Sequence, residues 1–230
     1  MVNKLIKDGI IEEVHDQTTE WVSPAFFVPK PNGKLRLVTD FTHLNKAIKR
    51  PVHPFPSARE IVQDIPAGTG YFLKFDALQG YHQVALHKDS RHLTTFLLPM
   101  GKYRYKRGPM GLMSTSDVYC AKSDRTIEDV KDSRKIVDDI LLWAKTKETL
   151  CSQARQVLSN CREHGVTLAR KKIAFGTALD FAGFHLNQTG IQPEREKLKA
   201  LKDFPTPKNI TDVKCFLVVV GPAKVPFLFQ

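Results

Sequence analysis

Three carboxylates in this 230-residue chain are placed where they could assist chemistry at phosphorus. Asp76 closes the apolar run Tyr71-Phe72-Leu73-Lys74-Phe75, and Asp138-Asp139 stands between Ile136-Val137 and Ile140-Leu141-Leu142-Trp143. If these runs are strands and the last two pair, the acids lie at strand ends, with Asp138-Asp139 as a two-residue acidic turn. Three acids so placed can hold two Mg²⁺ ions roughly 3.5–4 Å apart, which activate an attacking oxygen and stabilise a leaving one in an in-line displacement. Each piece alone also has an ordinary reading, since Asp is common in turns and strand ends often carry a solvated acid.

The cations nearest a tight turn form the second candidate group. Ala25-Phe26-Phe27-Val28 and Lys34-Leu35-Arg36-Leu37-Val38 flank Pro29-Lys30-Pro31-Asn32-Gly33, and Asn-Gly between two such runs is a strong hairpin signal. Lys34 and Arg36 are two apart and share a face opposite Leu35 and Leu37. That basic face suits a phosphate, although Lys and Arg also protect exposed edge strands.

The remaining elements must position these groups. Leu5, Ile6 and Ile10 have helical spacing within 3–14, with Gly9 as a weak point or stop. Ser57 is an N-cap for a helix over 58–64, and strands are expected at 94–98 and 103–106 around Pro99-Met100-Gly101. A helix is expected from about Ser116 to Ile127. The clearest helix is 147–164, with Thr146 as N-cap, Gly165 past its end, and Leu150, Ala154, Val157, Leu158 and Cys161 on one face. Short strands are expected at 166–168 and 181–186, a boundary at Pro205-Thr206-Pro207, and a final helix from Thr211. Irregular alternation of helices and strands predicts an α+β fold with an antiparallel sheet.

Composition bounds the partners. With 35 Lys+Arg against 24 Asp+Glu the formal net charge is +11, which favours a polyanion because phosphate neutralisation releases counterions. The 42% apolar and 26% charged residues are those of a folded domain. Apolar runs such as Ile140 to Ala144 reach about a quarter of the ~20 residues of a membrane span, so no membrane partner is expected. The first ten residues lack the apolar stretch of a secretory signal. Cys120, Cys151, Cys161 and Cys215 form no C-x-x-C pair, so an intracellular location is expected.

Seven motifs in order carry a resemblance over about residues 3–216. They are Leu5-Ile6-Lys7-Asp8-Gly9-Ile10-Ile11-Glu12; Ser23-Pro24 with Asn32-Gly33-Lys34-Leu35-Arg36; Asp40-Phe41-Thr42-His43-Leu44-Asn45-Lys46; Phe75-Asp76-Ala77-Leu78-Gln79-Gly80-Tyr81-His82-Gln83; Pro109-Met110-Gly111-Leu112; Val137-Asp138-Asp139-Ile140-Leu141; and Phe181-Ala182-Gly183-Phe184. In this order and spacing the chain resembles the reverse transcriptase domain of gypsy-type long-terminal-repeat retrotransposon polyproteins. The resemblance implies a right-hand polymerase fold: an antiparallel-sheet palm, a fingers hairpin and an incomplete thumb. It divides the chain into fingers (1–70), a palm core with an interleaved fingers segment (71–145), a palm helix with a primer-grip region (146–204), and a linker with a truncated tail (205–230).

The resemblance also implies roles. Asp76, Asp138 and Asp139 would be the catalytic triad holding two Mg²⁺ ions, with Mn²⁺ as substitute, and Phe75 and Ala77 would line the second ion's site. Arg36, assisted by Lys34 or Lys30, would clamp the triphosphate of a deoxynucleotide, which suits a guanidinium. Tyr81, after Gly80 as a turn residue, would exclude a ribose 2′-hydroxyl. Met110 and Gly111 would floor the nucleotide pocket, Lys171 or Lys172 would protonate the pyrophosphate, and Val137, Phe181, Gly183 and Phe184 would touch primer and template. The partners would be an RNA template and a DNA or RNA primer, with ribonuclease H and integrase regions in the parent polyprotein.

Of the departures from the pattern, Ile136 and the end of the match at Leu217 favour an alternative, a non-catalytic nucleic-acid-binding remnant. Ile136 stands where the family most often has Tyr or Phe, Ser114-Thr115-Ser116-Asp117 replaces Asn-Ala-Pro, the segment Asp124 to Lys135 is short, and the match stops at Leu217.

Overall fold

The computed structural model describes all residues except 16, 17, 30–32, 195–198, 200–202 and 221–230. In chain order its elements are α1 (Val2–Lys7), β1 (Ile11–Glu13), β2 (Ser23–Pro29), β3 (Leu35–Thr39), α2 (Thr42–Ala47), α3 (Ala58–Gln63), β4 (Tyr71–Asp76), β5 (Phe96–Leu98), β6 (Gly101–Tyr105), α4 (Met113–Asp124), β7 (Ser133–Ile136), β8 (Asp139–Ala144), α5 (Lys147–Glu163), β9 (Ala174–Gly176), β10 (Ala178–Phe181), β11 (Phe184–Asn187), β12 (Gly190–Pro193) and α6 (Ile210–Val220). They fall into two compact units: Met1–His53 with Gln79–Lys122, and Pro54–Leu78 with Ser123–Gln230. No helix among the described residues is long and apolar enough to cross a membrane.

In the first unit a five-stranded sheet runs β1-β6-β5-β2-β3, antiparallel except for the β2–β5 pair. Gly9, at φ +67°, ends α1, and Ile10 and Ile11 are buried where the chain turns into β1. The helical spacing of 3–14 thus breaks at the glycine, the residue type that takes left-handed backbone without strain. The β2–β3 hairpin pairs Ala25 with Thr39 through Pro29 with Leu35. Leu37 joins the core with Phe41, Leu44, Phe96 and Tyr105, whereas Leu35, on the same face, is 51% exposed near the open end of the ladder. The turn residues Pro31 and Asn32 lie outside the described residues.

The second unit is built on the four-stranded sheet β7-β8-β4-β9, antiparallel throughout, with a separate sheet β10-β11-β12. Period-2 alternation gives the central strands two apolar faces. Leu73, Phe75, Ile140 and Leu142 pack with Leu150, Val157 and Cys161 of α5. Phe72, Leu141 and Trp143 pack with Ile61 and Val62 of α3 and with Leu179, Phe181 and Leu186. A strand buried on both faces reads as a continuous apolar run, which is why β8 reads Ile140-Leu141-Leu142-Trp143-Ala144.

Several boundaries differ from expectation. Helix α4 spans Met113–Asp124 rather than 116–127, because Thr126 bonds back to the Ser123 carbonyl through both its amide and its hydroxyl and closes a turn there. On α5, Thr146 caps the helix as expected, accepting from the Thr149 amide. Its buried face takes Gln153 in place of Leu158, which is 49% exposed. The Gln153 side-chain nitrogen donates to the carbonyls of Lys131 and Trp143, while its Oε1 is buried without a partner. The strand expected at 166–168 reduces to one bridge between Leu168 and Ala77, and 181–186 is split by a turn at Ala182-Gly183.

Candidate active site

Strand β4 delivers Asp76 and β8 begins with Asp139, and the two are direct cross-strand partners. Since side chains alternate, Lys74, Asp76, Asp139 and Leu141 point to one face of the sheet. Asp138 is not paired with Asp139 in the turn as expected. The two-residue turn is Val137-Asp138, closed by the pair Ile136 and Asp139, so the predicted turn was one residue late. The physical reason is Val137, which sits at φ +48°, a region that local preference reserves for Gly and Asn. Beyond the strands the ladder continues: the Ala77 amide donates to the Asp138 carbonyl at 2.8 Å, the Leu78 amide to Thr167 at 2.9 Å, and the Ala169 amide to Asp76 at 2.7 Å. Segment 76–78 is thereby clamped between the Val137-Asp138 turn and residues 167–169.

Like charges directly opposite on a sheet repel, and the site shows how the pair is tolerated. The Lys172 ammonium contacts both Asp76 carboxylate oxygens, at 2.8 and 2.9 Å. Lys74 lies 3.9 Å from Oδ1 of Asp139. Burial pushes the Asp139 carboxyl above its ordinary range; Lys74 pulls it back, the Asp76 charge pushes it up, Lys172 opposes, and a hydrogen bond with Asp76 favours the protonated form. Oδ1 of Asp139 is buried and accepts no hydrogen bond, a cost that the Lys74 ammonium at 3.9 Å offsets in part and a closer cation would offset further.

These groups fit a hard divalent cation. Among the described residues, no three His, Cys, Asp or Glu side chains form a metal-binding group, so the three acids are not brought together as one set. The converging pair is Asp76 and Asp139. Mg²⁺ characteristically takes one or two protein carboxylates and completes its shell with water and substrate phosphate, so a pair suffices.

Sequence reasoning missed Lys74, whose place two residues before Asp76 on a strand was signal enough. It also missed Lys135, a lysine in a strand, which reads as solvated.

The first unit holds the other expected residues. Arg36 is exposed on β3 opposite Val28, and its guanidinium lies 3.9 Å from the Met110 sulfur. Gly111 is at φ +90°, a backbone conformation that strains any side chain, although an added Cβ would stand at contact distance, 3.4 Å, from the Thr39 carbonyl. Asn45 braces this loop, donating to the Gly111 carbonyl at 2.9 Å and accepting from the Met113 amide at 3.0 Å. Asn45 belongs to the motif Asp40 to Lys46, and nothing in its spacing signals this bracing role. Lys34 is exposed, and Lys30 lies outside the described residues. Tyr81 is half-buried in a 3-10 turn and packs edge-on against the buried Tyr119, with centroids 5.8 Å apart. The left-handed residue before it is Gln79 (φ +53°), not Gly80. Asp117, in the stretch that departs from the family pattern, is buried and forms a bidentate pair with Arg50 and accepts from the His53 amide.

The primer-grip expectation falls on the β10–β11 hairpin. Phe181 and Phe184 pair across its turn, Ala182 (φ +51°) and Gly183 (φ +84°) make the turn, and Phe181 is buried. Ile136 packs on the same apolar cluster.

A family model described as "Reverse transcriptase (RNA-dependent DNA polymerase)" matches residues 28–186. The transposon Tf2-3 and Tf2-4 polyproteins of Schizosaccharomyces pombe are each 27% identical over 219 residues, covering 94% of this chain and 16% of the polyprotein. The chain therefore spans about a sixth of the length of these relatives. Among solved structures, the foamy viral protease-reverse transcriptase dRH in complex with double-stranded DNA superposes with a TM-score of 0.87 at 23% identity, over 95% of this chain and 38% of that one. The foamy viral protease-reverse transcriptase in complex with an RNA/DNA hybrid gives 0.83 at 22% identity, over 95% and 29%. The fold is thus that of a reverse-transcriptase-type polymerase.

Proposed function

The chain belongs to the reverse transcriptase (RNA-dependent DNA polymerase) family, and we propose that it is the polymerase domain of a gypsy-type long-terminal-repeat element, extending a primer 3′ end on an RNA or DNA template. One observation carries this reading above the others. Asp76 and Asp139 face each other across β4 and β8, and a buried Asp139 oxygen accepts no hydrogen bond.

Asp76 and Asp139 would hold Mg²⁺, with Mn²⁺ as a substitute, and Asp138 on the adjoining turn would have to turn toward them to serve as the third acid of a two-ion site. The ions, when bound, supply activation of the primer hydroxyl and charge neutralisation on the triphosphate. The chain's own residues do the rest. Asp76 and Asp139 are fixed by ladder hydrogen bonds, so the reacting groups are aligned before substrate arrives. Lys172 reaches Asp76 from a flexible side chain that is 64% exposed; when phosphate enters, the ammonium is free to swing to it and donate a proton to the leaving pyrophosphate. Arg36, with Lys34 and Lys30, would grip the triphosphate, and Met110 and Gly111 would floor the base. Tyr81 would exclude a ribose 2′-hydroxyl, the Ala77 main chain would line the second ion's site, and Val137, Phe181, Gly183 and Phe184 would seat the primer. The kinship with polyproteins supports a parent protein that also carries ribonuclease H and integrase regions, working inside the cell.

A second reading, a nucleic-acid-binding remnant without catalysis, draws on Ile136, whose side chain packs into the core and offers the primer no aromatic ring. One experiment separates them. With purified chain, Mg²⁺, an oligo(dT) primer on poly(rA) and thymidine triphosphate, the polymerase reading expects template-dependent extension that falls at least about a hundredfold in Asp76→Asn. Template binding without extension by the wild type would establish the remnant.

A further inference from the structure

Lys135 is a charged residue inside the palm-type sheet. It lies on β7 between exposed Arg134 and half-buried Ile136, and its own side chain is only 4% exposed. Its Nζ is 2.9 Å from Oδ1 of Asp124, the last residue of α4, and 3.4 Å from the carbonyl of Val137, to which it donates. An ammonium in such a place loses several kcal/mol of hydration, and an apolar residue of the same volume is often equally stable or more so. Asp124 is unusual too, because a carboxylate at a helix C-terminus opposes the helix dipole. Fold stability alone gives neither residue a reason to be there.

What Lys135 touches supplies one. Val137 is a β-branched residue held at φ +48°, and such a conformation persists only where its surroundings over-determine it. Two consecutive carbonyls of this turn are gripped from outside it, Val137 by Lys135 and Asp138 by the Ala77 amide. The next residue is Asp139, whose carboxyl must meet Asp76 across the sheet.

We propose that Lys135, itself held by Asp124, is a positioning residue that fixes the strained Val137-Asp138 turn and so sets the Asp139 carboxylate against Asp76. The kinetic consequence rests on the polymerase reading; the geometric one does not.

The test uses the full chain and four variants: Lys135→Met, which keeps volume and removes charge and donors; Lys135→Arg, which keeps both; Asp124→Asn, which leaves Lys135 in place but loosens its anchor; and Arg134→Met, a control on the same strand. The first readout is amide hydrogen exchange without metal. In Lys135→Met the Ala77 amide exchanges about tenfold faster or more while Leu73 and Phe75 do not change, as expected for a local opening. Asp124→Asn moves Ala77 in the same direction, and Lys135→Arg and Arg134→Met leave it within about threefold. The second readout is single-nucleotide incorporation, where Lys135→Met lowers kcat about ten- to a hundredfold and leaves KM within about twofold, the signature of misplaced catalytic groups. Unchanged Ala77 exchange in both Lys135→Met and Asp124→Asn, or a rise shared by all of β4, overturns the proposal. If Lys135→Met does not fold, Asp124→Asn decides. If the wild type extends no primer, the polymerase reading fails, and the exchange arm still decides the role of Lys135.

Discussion

Two hairpins of the same unit end in two-residue turns, and they are built on opposite plans. The β10–β11 turn places Ala182 and Gly183 both in the left-handed region, the type I′ geometry whose twist matches that of the strands it joins. Glycine at its second position makes the turn local property. The β7–β8 turn places Val137 there instead, one of the residue types least suited to it. That turn is held by contacts from elsewhere: Lys135 on one carbonyl and Ala77 on the next. The turn that leads into the Asp139 strand is the strained one, and the turn beside the buried Phe181 is the relaxed one. Precision at the site comes from surrounding structure rather than from turn chemistry.

The largest effect is expected on removing the charge that the strained turn presents. Asp139→Asn lowers incorporation at least about a hundredfold while stabilising the metal-free fold by about 1 kcal/mol, as relief of buried repulsion commonly does. The sign with pH follows. Because the Asp139 carboxyl is held above its ordinary value, first by burial, the folded state binds the extra proton between the unfolded and folded pKa values, and stability falls as pH rises through that window. Denaturant melts of wild type and Asp139→Asn from pH 3.5 upward check this, the variant having the flatter profile.

Next in size is damage to the relaxed turn. Gly183→Val forces a β-branched residue to φ +84° and destabilises by about 2–3 kcal/mol, read as a lowered urea midpoint with unchanged slope. The reciprocal change at the other turn has the opposite sign. Val137→Gly relieves strain of about 1–3 kcal/mol, offset by about 0.5–1 kcal/mol of added chain entropy, so it gains about 1 kcal/mol and loses kcat as the turn loosens. A loss of stability in Val137→Gly would break the comparison. The smallest effect is at Ala182→Gly, within about 0.5 kcal/mol because the same two terms nearly cancel.

The same contrast explains what the sequence disclosed. An apolar run closed by an acid marked β4 and Asp76, and the run after Asp139 marked a strand buried on both faces, because those signals are local. Ser57 and Thr146 were legible as caps, both bonded as expected. The Val137-Asp138 register was not, since tertiary contacts impose a conformation that valine disfavours. Gln153 was not, because its burial depends on the carbonyls of Lys131 and Trp143, distant in the chain. Lys135 was hidden for the same reason: its partner Asp124 is on another element.

The central claim is that Asp76 and Asp139 together hold a divalent cation, and Mn²⁺ titration followed by electron paramagnetic resonance tests it most directly. The wild-type chain should bind Mn²⁺ saturably and release it to excess Mg²⁺, with affinity at least about tenfold weaker in both Asp76→Asn and Asp139→Asn, since each removes one of two carboxylate ligands. Equal Mn²⁺ affinity in the wild type and both variants would contradict the account.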